Sequence, residues 1–328
     1  MRPLPWKPYL SLSGQKYNVN TIMITSGKIN KNILLIKKNY TLYLFLLPAI
    51  ILYFCFYYIP IYGVQIAFKN YSPAAGITGS PWVGFTHFLR FFRTNQFKVV
   101  ISNTLILSLY GLIAGFPMPI ILALIMNSIK SNKFKRVLQT VTYLPHFIST
   151  VVFVSMILLF LSPSGLFGQI SRLMGSTPGN IMGEAYMFPH IYVWSGIWQQ
   201  IGWSSIIYLA ALSSIDPTLY EAATIDGASK WQKIIQIEIP SIMPTCIILL
   251  ILNAGNILNV SFEKTFLLQN SLNLSRSEVI TTYIYKIGIQ STQYSFSAAV
   301  GLFNNIINFI VLALVNYISG KLSETNLW

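Results

Sequence analysis

The sequence predicts an all-α integral membrane protein with six transmembrane helices, and three observations carry that expectation. Of the 328 residues, 54% are hydrophobic and only 9% are charged, whereas a soluble domain carries about 25% charge. Apolar runs of bilayer-spanning length recur along almost the whole chain. Basic residues outnumber acidic ones by 22 to 8, and they concentrate in alternate connecting stretches, as the positive-inside rule requires of cytoplasmic loops.

A bilayer core of about 30 Å takes roughly 20 helical residues. Residues 1–40 hold seven basic side chains and no acid, which marks a cytoplasmic N-terminal segment. No apolar core of signal-peptide length precedes the first run, so that run stays in the protein as an anchor. The runs lie at about Thr41 to Tyr62, Val99 to Met126, Val137 to Leu161, Tyr186 to Ser214, Ser241 to Phe262 and Ala298 to Ser319. Charges, prolines and polar clusters set their ends. Pro48, Pro117, Pro119, Pro145 and Pro189 fall within or at the ends of runs, so kinked or broken spans are expected where neighbouring helices absorb the freed carbonyls. With the N-terminus inside, 14 Lys and Arg fall on cytoplasmic stretches and eight outside. Both termini are therefore expected in the cytoplasm, against the local opposition of Arg90, Arg93 and Lys98. Those three belong to or follow Trp82 to Phe92, whose mixed aromatic and basic residues suit either an interfacial helix or a loop packed on the spans.

Several function classes drop out. A charge of +14 in a soluble protein would suggest nucleic acid; here it is an orientation signal and no nucleic-acid partner is expected. Cys55 and Cys246 both lie in apolar runs and read as packing residues, while His87, His146 and His190 are dispersed without ligand spacing. No metal site, catalytic site or cofactor on this chain is expected. The spans lack GxSxG, HExxH and a poised aspartate pair, which argues against an intramembrane enzyme. No Gly-Lys-Ser or Gly-Lys-Thr occurs, so a P-loop is absent.

The acids are the odder feature, because Asp216, Glu221, Asp226 and Glu238, half of the total, crowd into one loop of about 215–240. Asp216-Pro217 reads as a helix start, with a capping carboxylate and proline at the first helical position. Ala222 and Ala223 lie mid-helix, Gly227 ends it in a left-handed conformation, and Ser229 caps a second short helix that Pro240 stops. Small residues allow close approach of another surface, and Glu221 and Asp226 offer it acceptors, so a protein partner is expected to dock here.

Glu221-Ala222-Ala223, Gly227, Ile237 and Ile239-Pro240 resemble the EAA loop of permease subunits in binding-protein-dependent ABC importers. The pattern is Glu-Ala-Ala, three residues, Gly, nine residues, Ile, one residue, Leu-Pro, and Ile239 in place of Leu is the only departure. Further segments resemble carbohydrate-type permeases of the LplB-like polysaccharide and aldouronate group: Tyr58 to Gly63, Ser80 to Phe85, Asn103 to Leu105, Tyr143 to Ser149, Gly202 to Leu212 and Ala299 to Phe303. The resemblance covers nearly everything after residue 40. It implies a type I importer (MetI-like) fold in a bacterial plasma membrane, with residues 41–328 as the permease domain. It further implies a second homologous permease, two cytoplasmic ATPases that bind ATP and Mg, an extracellular solute-binding lipoprotein and an oligosaccharide substrate. Glu221, Ala222, Ala223, Asp226, Gly227 and Pro240 would form the ATPase-coupling loop. ATP closure of the ATPase dimer would turn the spans outward, and hydrolysis would reset them.

In the fifth span Asn253, Asn256, Asn259 and Glu263 recur at steps of three, three and four, which would align them on one helical face. The fourth span adds Gln200 and Trp203, and the sixth Asn304, Asn305 and Asn308. By resemblance to sugar permeases, Asn253, Asn256, Asn259, Gln200 and Trp203 are the expected substrate path; amides that only tie helices together are the bland alternative. His146, without an acidic neighbour in its own segment, reads as a hydrogen-bonding structural residue, and Glu263 as a gate or helix-pairing residue. A non-transporting sensor or scaffold on the same fold is the rival reading.

Overall fold

The computed structural model describes residues 38–323 apart from Ser176, Pro178 and Asn256. Most of the expected basic N-terminal segment, and the path candidate Asn256, therefore lie outside the described residues. The chain divides into two compact units, Met1–Tyr62 and Gly63–Trp328.

In the first unit, helix α1 (Tyr40–Tyr53) passes into a π-turn, Phe54–Tyr58, and a further helical turn, Ile59–Ile61. Pro48 sits inside α1 without ending it, and no residue of these three elements is buried. Such a helix, apolar on every side, suits a lipid surrounding.

The second unit is helical throughout, with one isolated bridge, Lys69 to Trp82, among the described residues. The aromatic and basic stretch forms α2 (Thr86–Arg93), whose Phe91 is buried against the rings of Phe97, Tyr283, Phe296 and Phe303. Next come α3 (Asn95–Gly115) and α4 (Pro117–Asn127), then α5 (Asn132–Tyr143) and α6 (Thr150–Leu161). A 26-residue helix, α7 (Phe188–Ser213), leads to the short α8 (Pro217–Ile225). After a glycine turn, α9 (Lys230–Lys233) runs through a π-turn, Ile234–Glu238, into α10 (Ile239–Ala254). The unit closes with α11 (Phe262–Leu268), α12 (Ile280–Tyr285) and the long α13 (Tyr294–Ser323).

Five stretches are long and apolar enough to cross a membrane: Tyr40–Phe68, Asn95–Asn127, Thr150–Leu173, Lys230–Ala254 and Tyr294–Ile318. The remaining expected span, the fourth, corresponds to α7, which has the length but is diluted by Gln199, Gln200 and several serines.

Three boundaries differ from the sequence reading. The third run does not begin at Val137: α5 ends at Tyr143, and a 3₁₀ turn, Leu144–Phe147, separates it from α6. Pro145 inside that turn cannot donate a backbone hydrogen bond, and Ser149 then starts α6 by capping Val152 N. Pro240 does not stop a helix. The π-turn ahead of it makes an i to i+5 bond from Ile239 N–H to Ile234 O, and the widened turn accommodates the proline ring that an α-turn would exclude. The fifth run ends at Ala254, eight residues short of Phe262.

Packing divides into three buried clusters. One joins Leu107, Val154, Phe188, Val260, Leu268 and Val279. A second joins Met126 of α4, Tyr208, Leu209 and Leu212 of α7 and Ile242 and Cys246 of α10, close to the acidic loop. The third surrounds Phe91. Cys246 is thus a packing residue, as expected, while Cys55 is exposed. Helices in lipid associate by close packing at small residues, and Gly202 of α7 is such a point. A Cβ there would collide with the Thr142 carbonyl at the end of α5. Gly202→Leu is expected to cost more than about 2 kcal/mol through overpacking. A lowered Tm and yield of the purified chain check this.

Candidate functional site

Two adjoining cavities of about 680 and 790 Å³ open between α3, α4, α7 and the end of α10. They share Gly111, Gly115, Tyr192, Ser204, Asn253 and Asn259 as lining. The glycines of α3 keep its wall flat, and α7 and α10 supply the polar groups. Trp203 lines the smaller cavity, and Gln200 and His146 line the larger. Four of the five path candidates, Asn253, Asn259, Gln200 and Trp203, therefore come together; Asn256 is outside the described residues.

The turn between α5 and α6 is held against α7 by side chains. Gln199 Nε2 donates to Ile148 O at 3.1 Å, and His146 Nδ1 lies 2.8 Å from Gln200 Oε1. The His146 ring stacks on Trp203 with centroids 4.4 Å apart and planes 2° from parallel. His146 accordingly has the hydrogen-bonding structural role expected of it. Its two partners lie more than fifty residues along the chain, beyond any local sequence signal. The result is a wall of aromatic planes next to amide groups.

Asn253 is on α10, its Nδ2 bonded to Leu249 O at 2.8 Å. Asn259 is not on the same helix. Beyond Gly255 the backbone leaves the helical ladder, and side-chain amides take its place: Leu258 N donates to Asn308 Oδ1, and Asn259 Oδ1 accepts from Asn304 Nδ2 and Asn308 Nδ2, both at 3.1 Å. Amides competing with the backbone in this way favour turns over helix. The single helical stripe from Asn253 to Glu263 is thereby overturned. Asn304 and Asn308 tie α13 to this segment, and Glu263 stands exposed in the first turn of α11.

The acidic loop forms as its local signals require. Asp216 Oδ1 accepts from Thr218 N at 2.9 Å, which holds the exposed carboxyl below its ordinary pKa, and Pro217 takes the first helical position. Gly227 has φ +72°, and Ala228 N donates to Ala223 O at 2.8 Å, closing α8. Ser229 and Gln232 form a reciprocal capping box at the start of α9. Lys233 Nζ donates to Thr224 Oγ1 at 2.7 Å, locking α9 to α8. Glu221, Ala222, Asp226 and Gly227 are exposed on this rigid helix-turn-helix, Ala223 is half-buried, and Ile225 and Trp231 beside them are 87% and 73% exposed. Pro240, grouped with these by sequence, instead lies within the continuous Lys230–Ala254 helix, two residues beyond the buried Glu238, and is exposed.

Glu238 departs from the other three acids of the loop. It is buried, and its Oε1 accepts from Asn127 Nδ2 at 2.8 Å and from Tyr220 OH at 3.2 Å, while Oε2 has no partner among the described residues. Burial first, and the Glu238 charge second, push the Tyr220 phenol up. One carboxylate thus joins α8, the end of α4 and the π-turn before α10. Neither Asn127 nor Tyr220 carried a sequence signal, since only the fold brings them to Glu238.

Comparison with known proteins agrees with this geometry. The model of a family described as "Binding-protein-dependent transport system inner membrane component" matches residues 115–324. The chain is 39% identical over 309 residues to the protein LplB of Bacillus subtilis, covering 93% of this chain and 96% of that one. It is also 39% identical to the polygalacturonan/rhamnogalacturonan transport system permease protein YteP of the same organism, over 90% of this chain and 92% of that one. Among solved structures, a chain of a bacterial alginate ABC transporter, in complex with a periplasmic protein holding an alginate pentasaccharide, is similar with a TM-score of 0.82 and 40% identity. That match covers 89% of this chain and 98% of the other.

Proposed function

We propose, for a chain that belongs to the family of binding-protein-dependent transport system inner membrane components and is an integral membrane permease subunit, that it carries oligosaccharides or polysaccharides inward by alternating access. Its cavity is the passage. The observation that carries this reading is the joined cavity beside the His146–Trp203 stack, with Gln200, Asn253 and Asn259 in its wall. Sugars present apolar ring faces and many hydroxyls, and a wall of aromatic planes with adjacent amides satisfies both. The polysaccharides that give YteP and the alginate transporter their names support the same substrate class.

The partners follow from the same family membership: a second homologous permease, two cytoplasmic ATPases that bind ATP and Mg, and an extracellular solute-binding lipoprotein. Glu221, Ala222, Ala223, Asp226 and Gly227 dock on an ATPase from the cytoplasmic side. Closure of the ATPases pushes α8 and α9 as one lever. Because α9 continues through the π-turn into α10, the push reaches the helix that bears Asn253.

The test is reconstitution in vesicles with the companion permease, the ATPases and the binding protein. Saccharide is expected to stimulate ATP hydrolysis and to cross the bilayer; stimulation without movement would support a sensor. Asn253→Ala is expected to lower the uptake rate severalfold at unchanged assembly, because Asn253's hydrogen bond lies within its own helix. Asn259→Ala should lower uptake and also destabilise the complex, since it strands the amides of Asn304 and Asn308.

A further inference from the structure

Among the described residues that line the larger cavity, Lys264 is the one charged side chain. It is only 6% exposed. Its Nζ donates to Tyr192 O at 2.8 Å and lies 4.7 Å and 5.4 Å from the ring centroids of Tyr192 and Phe153. A Cβ at Gly196 would come within 3.0 Å of that nitrogen, so the glycine of α7 leaves the space the ammonium occupies. The ion pair among the described residues is Lys286 with Glu278, not Lys264, and Glu263, its neighbour on α11, is exposed.

An ammonium has three N–H donors, and Tyr192 O accepts one of them; the two rings, at 4.7 and 5.4 Å, attract the charge without accepting a hydrogen bond, so donor capacity is left over. A charge buried among membrane helices is costly unless it is paired or faces a water-filled cavity, and its usual meaning is a pathway. Lys264 lines the cavity, and no carboxylate among the described residues pairs with it.

We propose that Lys264 is the counter-ion for a carboxylate of the passing saccharide, so that this permease is built for acidic, uronate-bearing chains. The inference rests on the transport reading above and narrows its substrate class. Gln199, Gln200 and Ser261 line the same cavity and supply hydroxyl partners for the sugar, while Lys264 adds the charge-dependent preference.

The test uses the full permease–ATPase complex in nanodiscs, without binding protein, and compares binding of trigalacturonate with that of its methyl ester, which keeps the rings and removes the charge. The wild-type complex is expected to bind the acid about tenfold more tightly, as one charge-assisted hydrogen bond allows. Lys264→Met should bring the two to parity, and Lys264→Arg should keep the preference. If Lys264→Met does not assemble, Lys264→Gln tests the same loss of charge. Equal wild-type affinities, no wild-type binding of either probe, or a preference that survives loss of the charge would overturn the proposal. So would a parallel loss of both probes at constant ratio, the mark of a lysine that only ties α11 to α7. Failure of the transport reading is read separately: wild-type vesicles with binding protein would then move neither saccharide.

Discussion

Glu221→Lys is expected to abolish co-purification of the ATPase while leaving the permease folded. Glu221 is exposed on α8 and its carboxylate has no partner among the described residues, so the reversal breaks no hydrogen bond or ion pair among them. The helix beneath it is fixed at one end by the Asp216 cap, at the other by the Gly227 turn, and along its side by Lys233 to Thr224. A rigid helix cannot turn the new charge away. Placing a like charge, or an unpaired one, in a desolvated interface costs about 2–5 kcal/mol, which is a loss of more than about thirtyfold in affinity. Co-purification at wild-type yield would mean that this face does not dock.

Glu238→Leu is expected to separate docking from transport. Glu238 joins Tyr220 of α8 to Asn127 at the end of α4, and it sits in the π-turn that leads to α10. Without it the half-buried phenol and amide lose this charged acceptor, at up to about 1–3 kcal/mol each, and the tie between the lever and α4 is weakened. The docking face on the other side of α8 is untouched. ATPase should therefore co-purify and hydrolyse ATP, uptake should fall at least about tenfold, and Tm should drop. Glu238→Gln keeps an oxygen acceptor at the same reach and is expected to retain most activity. Wild-type uptake by Glu238→Leu would show that this junction transmits nothing.

How much of this was legible in the sequence depends on the distance over which each signal acts. Asp216-Pro217, Gly227 and Ser229 were readable because caps and turns are local, and the structure follows them atom by atom. The apolar runs were readable because bilayer thickness imposes their length. Pro240 misled because a proline marks a helix end only when an ordinary α-turn precedes it, and here the preceding turn is widened. The helical stripe from Asn253 to Glu263 misled because amides carried by α13 compete for the backbone beyond Ala254. His146 on Trp203, Glu238 on Tyr220 and Asn127, and Lys264 against Gly196 lay out of reach, since each joins residues the chain separates widely or places on different helices.

The central claim is that the cavity beside Asn253 is a passage opened alternately to the two sides of the membrane. It is tested most directly by placing one cysteine at position 253, after replacing the two native cysteines, Cys55 and Cys246, in the reconstituted full complex. A membrane-impermeant maleimide is expected to label it only from the ATPase side without nucleotide, and only from the opposite side when ATP is trapped. Labelling from the same side in both states would contradict the account.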